Sequence, residues 1–206
     1  LDFSKMNIGL TGGLLLGNFR GFHDLDLVFQ EGLEENLRIA KRTRDLVRRD
    51  SQRRVIEGGK GWNIRYYNDN GTLMCNFFTY KNPADAPLRD FEMKVVAEDV
   101  QIEATVLDDT HTIYTPSVLG ISGVKVNNID EKDIEREVPD ENMRLIVYHT
   151  ATRGECFAGD KVKAKGALVQ IKTPKEEYMA ICVIDREGIR NITPTWEGYY
   201  EDPNVA

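Results

Sequence analysis

Long hydrophobic runs are missing from this sequence: no stretch approaches the roughly 18 consecutive apolar residues that a membrane-spanning helix needs, and no cationic flank followed by an apolar segment opens the chain. Membrane and secreted classes drop out, and a cytoplasmic protein is expected. Cysteine is scarce as well. Cys75, Cys156 and Cys182 are odd in number, widely spaced and without a Cys-x-x-Cys pair, so neither a disulfide framework nor a zinc site is indicated. Small core residues in a reducing compartment are expected instead. An excess of positive charge is also lacking, and the net charge of -7 argues against whole-surface attraction to nucleic acid.

What is present is ordinary globular composition, 41% hydrophobic and 30% charged, enough over 206 residues for two modest domains with buried cores. The chain opens on Leu1 rather than Met, and the first domain is expected to have residues upstream. Charge is unevenly spread. Residues 38–54 hold Arg38, Lys41, Arg42, Arg44, Arg48, Arg49, Arg53 and Arg54 against Asp45 and Asp50, whereas residues 130–141 are strongly acidic. The basic stretch reads as a solvated face with spaced ion pairs or as an RNA-binding surface, whose grip would weaken steeply with salt.

Along the chain, Asn7 to Thr11 reads as a short buried strand, broken by Gly12 and Gly13, with a helix entered at Leu14, Leu15 and Leu16. Asp24-Leu25-Asp26-Leu27-Val28-Phe29 has a strand pattern. Leu33, Leu37, Ala40 and Val47 recur at helical spacing and predict a cationic amphipathic helix from 33 to about 56, stopped by Gly58, Gly59 and Gly61. Trp62 to Tyr67 and Thr72 to Tyr80 flank Asn68-Asp69-Asn70-Gly71 as a β-hairpin. Beyond a loop from Asn82 to Pro87, strands are expected at 91–97, 100–106, 117–126, 145–149, 160–170 and 178–184. Val162, Ala164 and Gly166 alternate there with Lys161, Lys163 and Lys165, like a strand of a small barrel with a lysine face.

The chemistry concentrates near the start. Carboxylates two positions apart on a strand share a face, close enough to hold one divalent cation through oxygen ligands. Without that cation their mutual repulsion would raise one pKa. Upstream, Gly12 and Gly13 let backbone N–H groups approach a phosphate, aided by a helix start. Thr11-Gly12-Gly13, ten intervening residues, then Asp24-Leu25-Asp26-Leu27 resembles the motif of the polymerase-beta type nucleotidyltransferases. The likeness covers about twenty residues. Two further stretches, Val106 to Pro116 and Gly159 to Leu168, make the whole chain similar to a group of archaeal proteins predicted to be nucleotidyltransferases.

The resemblance implies an α+β protein: a nucleotidyltransferase-like mixed sheet with helices over residues 1–95, followed by a β-rich, small barrel-like accessory domain over 96–206. It implies that Asp24 and Asp26 are catalytic and bind magnesium or manganese, that Gly12 and Gly13 hold a nucleoside triphosphate, and that the chemistry is in-line displacement assisted by two metal ions. Arg20, by proximity, is a candidate to neutralise phosphate charge, and helix 38–54 to hold RNA. The motif departs from the family in two places. His23 replaces the usual Ser, and the hairpin strand expected to carry a third carboxylate has Asn76, leaving Glu92, Asp108 and Asp109 as alternatives. A non-catalytic RNA-binding or regulatory protein on the same fold is the competing expectation. His111 and His149 are assigned no role. Trp196, Tyr199 and Tyr200 either stack on bases or pin the tail to the body.

Overall fold

The computed structural model describes residues 6–17, 24–127, 142–193, 196, 198 and 199. It is a β-rich mixed α and β protein with two mixed sheets, dividing into two compact units: Leu1–Asp85 with Thr195–Val205, and Ala86–Pro194. No helix among the described residues is long and apolar enough to cross a membrane.

The first unit runs β1 (Ile8–Leu10), α1 (Gly12–Leu15), β2 (Asp24–Phe29), α2 (Leu33–Arg49), β3 (Arg54–Glu57), β4 (Lys60–Tyr67) and β5 (Leu73–Phe78). Its sheet has the order β1-β2-β5-β4-β3, with β2 and β5 parallel and the other neighbours antiparallel. α2 forms because Asn36, Ile39, Ala40, Thr43 and Val47 fall on one buried stripe, with Glu34 and Glu35 at its positive end and Arg48 and Arg49 at its negative end. Gly32 provides no side-chain cap. The fully buried Asn36 fastens the start instead, its amide donating to the carbonyls of Glu31 (3.2 Å) and Thr79 (3.1 Å).

Four expectations differ from the structure. The helix stops at Arg49 rather than near residue 56. Asp50 turns extended and its carboxylate accepts the Gln52 amide, while the Arg54 guanidinium donates to the open carbonyls of Val47 (3.3 Å) and Arg48 (3.0 Å). Gly58 and Gly59, at φ 58° and 74°, form the β3–β4 turn instead of ending the helix. β1 is an edge strand with Leu10 exposed, not a buried one. α1 is a single turn, so it sums too few peptide dipoles to provide the helix-start field expected for a phosphate.

In the second unit, β6 (Glu92–His111), β7 (Ser117–Val126), β8 (Arg144–Val147), β9 (Lys161–Lys172), β10 (Glu177–Val183) and β11 (Ile189–Asn191) form one sheet. Its order is β10-β8-β7-β6-β9-β11, and β10 pairs again with β9, which closes five of the strands into a ring. The core is the inward set Val100, Ile102, Ala104, Val106, Val162 and Ala164, packed against Leu145, Val147, Ile181 and Val183. β6 is one 20-residue strand where the sequence suggests two. Register shifts between Val95 and Val100, with Asp99 at φ 56°, bend it without ending it. The stretches Val106 to Pro116 and Gly159 to Leu168 meet: Val106 and Gly159 exchange backbone hydrogen bonds with the opposite loop, and the Asp109 carboxylate accepts the Ala158 amide at 3.0 Å.

Candidate metal centre

In the parallel pair β2–β5, Asp24 lies opposite Leu73 and Asp26 opposite Cys75. Residues opposite one another share a sheet face, so Asp24, Asp26 and Cys75 project together, away from the face that α2 covers. Two carboxylate oxygens and the Cys75 sulfur lie within 4.8 Å of one another. The Cys75 thiol, 5% exposed, donates to Asp24 Oδ2 at 3.8 Å. Across the antiparallel β4–β5 pair, Cys75 is opposite Arg65, whose Nη2 reaches Asp24 Oδ2 at 3.4 Å. The same guanidinium donates from Nη1 to Glu57 at 2.7 Å and sits 5.4 Å from the Trp62 ring.

Gly12 approaches the other carboxylate. The Thr11 amide donates to the Asp26 carbonyl (3.1 Å), and Gly12, at φ 68°, follows so closely that a methyl group on it would collide with the Asp26 carboxylate. Both features favour glycine at this position. Gly13 lies beside it, exposed. Arg20 and His23 fall within residues 18–23 and the acidic tract within 128–141, all outside the described residues.

Asn76 does not stand where a third carboxylate would. One residue beyond Cys75, it points to the opposite face, is 2% exposed, and donates through Nδ2 to Thr43 Oγ1 of α2 at 3.3 Å. Cys75 and Arg65 are the residues sequence reasoning missed. A lone arginine in the otherwise uncharged run Gly61 to Tyr67 was a visible signal, whereas Cys75 needed the strand register. Glu92, Asp108 and Asp109 all lie on β6 of the second unit. Burial pushes the Asp108 carboxyl up, but hydrogen bonds from the Thr110 hydroxyl and amide, with His111 and Arg144 nearby, outweigh it and hold the group below its ordinary range. It is an Asx-type turn.

No family model, no curated protein and no solved structure matches this chain. The metal reading therefore stands on geometry. The donor set fits a divalent cation: two hard carboxylates of the kind magnesium and manganese prefer, and one softer thiol.

The basic stretch is largely neutralised within the protein. Arg38 pairs with Glu35, Arg44 with Asp45, and Arg53 with Asp50 and Asp69, while Arg54 caps α2 and lies 4.6 Å over the Trp196 ring. Arg42 and Arg49 remain on the exposed side of α2. Lys161, Lys163 and Lys165 do project from β9, but Lys165 pairs with Asp99 (3.4 Å), and the cavity of about 610 Å³ beside them is also lined by Glu98 and Glu187. Trp196 and Tyr199 are buried, Trp196 against Gly61 and Tyr199 accepting the Gly61 amide through its carbonyl at 2.6 Å. They pin the tail to the first unit.

Proposed function

We propose that the first unit is a nucleotidyltransferase acting on a nucleoside triphosphate, with Asp24 and Asp26 holding magnesium or manganese and Gly12 and Gly13 approaching the triphosphate. The observation that carries the reading is the meeting, on one sheet face, of two carboxylates and a close-approaching backbone turn whose left-handed φ at Gly12 favours glycine. Bound magnesium supplies Lewis acidity to phosphate oxygens and lowers the pKa of an attacking hydroxyl. The chain's own residues position and neutralise. Gly12 removes side-chain bulk next to the Asp26 carboxylate, and the turn at Gly12–Gly13 leaves main-chain N–H groups as phosphate donors. Arg65 offsets the negative charge of Asp24. The acceptor is a hydroxyl-bearing molecule that approaches the Asp24–Asp26 face; the exposed Arg42 and Arg49 lie on α2, across the sheet from that face, so RNA bound along them would be held apart from the reacting atoms.

The thiol of Cys75, in the position beside the aspartates where a further carboxylate would act as base, supports a second reading: a nucleotide-binding or RNA-binding regulator on the same fold. Thermal unfolding with ATP, GTP, CTP and UTP, each with and without magnesium, tests the first. A ligand that binds only the native state raises the midpoint. A magnesium-dependent rise that disappears in Asp24→Asn is expected, and no rise with any nucleotide would remove the nucleotide site altogether.

A further inference from the structure

Arg65 holds Asp24 in a lopsided way. Its bond to Glu57 is short at 2.7 Å and its reach to Asp24 is long at 3.4 Å. The side chain is 17% exposed and its guanidinium lies 5.4 Å from the Trp62 ring, so its place is fixed by Glu57 and Trp62 more than by Asp24. Its Nε–H is buried and finds no hydrogen-bond acceptor among the described residues, leaving a donor that the protein does not use. A guanidinium offers a rigid fork of N–H groups matched to carboxylate or phosphate oxygens, and it keeps its charge at all working pH values.

We propose that Arg65 is an exchangeable counter-ion: its Nη2 neutralises Asp24 while no divalent cation is bound, and that same N–H edge of the guanidinium is released to a triphosphate oxygen once a cation takes the Asp24 carboxylate. This rests on the proposed metal site of Asp24 and Asp26 and adds a positioning residue to it. A cation entering at Asp24 repels the guanidinium and removes its acceptor, while Glu57 keeps it at the margin of the site. The nucleotide arrives with several anionic oxygens and replaces the lost partner. Cation and arginine therefore compete for Asp24 in the absence of nucleotide and cooperate in its presence.

The competition gives Arg65 a signature that a purely structural arginine lacks. Isothermal titration of the full chain with manganese alone, and with ATP at saturating magnesium, is done for the parent, Arg65→Gln, Arg65→Lys and Asp24→Asn. In Arg65→Gln, manganese binding tightens about threefold to tenfold, because a like charge leaves the site, and ATP binding weakens roughly tenfold or more, because charge-assisted hydrogen bonds are lost. Arg65→Lys keeps the charge, so manganese binding stays near the parent value while ATP binding still weakens through loss of the fork. The Lys variant also decides the question if the Gln variant does not fold. Two affinities that fall together, or neither changing, would overturn the exchange. A parent that binds no manganese, or binds it equally after Asp24→Asn, would instead remove the metal site and this inference with it.

Discussion

Exchanging the two neighbouring residues Asn76 and Cys75 for aspartate, one at a time, should have different consequences, because they face opposite sides of the same strand. Asn76 is 2% exposed and its Nδ2 donates to Thr43 Oγ1, while the Thr43 hydroxyl is already spent on the Ile39 carbonyl at 3.0 Å. A carboxylate there loses the amide donor and gains nothing from Thr43. Burial of this kind raises a carboxyl pKa by about 3 units, which at 1.36 kcal/mol per unit is about 4 kcal/mol of lost stability at pH 7. The folded-state pKa is then the higher one. The penalty is absent below the unfolded value near 3.9, grows as pH rises through the window above it, and levels off beyond the folded value. At pH 4 only the missing hydrogen bond is felt, about 1 kcal/mol. Cys75→Asp is also buried and adds a like charge beside Asp24 and Asp26, so it too costs stability without a cation, but its third carboxylate should tighten manganese binding, and manganese should restore the lost stability. The protein's two tryptophans, Trp62 and Trp196, both belong to the first unit, so tryptophan fluorescence during urea unfolding at pH 4 and pH 7 reads its stability separately. Asn76→Asp that costs the same at both pH values, or that tightens manganese binding as Cys75→Asp does, would refute the assignment of faces.

Gly12→Ala should strain the chain by about 1–2 kcal/mol through its left-handed φ and push the Asp26 carboxylate aside, abolishing manganese binding, whereas Gly9→Ala, with nothing within 4 Å of the added carbon, should leave it intact. Equal behaviour of the two glycines in a manganese titration would contradict the close approach. Trp196→Ala should cost the first unit about 3 kcal/mol, and Gly61→Ala should destabilise by displacing the same ring, so the double variant should lose less than the sum in denaturant unfolding. Asp108 has a folded-state pKa below its ordinary 3.8; its contribution to the second unit is present above that pH and fades as pH falls through the folded value. The stability gap between parent and Asp108→Asn, followed by circular dichroism, should therefore narrow between pH 7 and pH 3, and a gap that widened would be contrary to the sign of that shift.

Local pattern carried much of this fold into the sequence. The alternation at Asp24 to Phe29 and at Val100 to Val106, the helical spacing through Ala40 and Val47, and the Asn68 to Gly71 turn each appear at the expected place, since each depends on residues a few positions apart, although Leu33 and Leu37 are only half-buried and Asn36 and Thr43 complete the buried stripe. Register and closure depend on residues far apart and were not legible. Asp26 meets Cys75 only because β2 and β5 run parallel in one register, and a slip of one residue would have brought Asn76 to the metal face as expected. The second pairing of β10 with β9 and the return of Trp196 to Gly61 likewise have no local signature. The helix end was misplaced for a different reason: Arg53, Arg54 and Ile56 continue the helical spacing, but Asp50 offers its own carboxylate to the Gln52 amide and turns the chain before they are reached.

Asp24 and Asp26 as cation ligands underlie both the proposed activity and the role of Arg65. Manganese binding followed by electron paramagnetic resonance, in the parent chain and in Asp24→Asn and Asp26→Asn, tests that claim most directly. The expected result is specific binding by the parent, weakened roughly tenfold or more by either substitution, since each removes a charged oxygen ligand. Parent and variants that bind manganese alike, or a parent that does not bind it, would contradict the site and the proposed function with it.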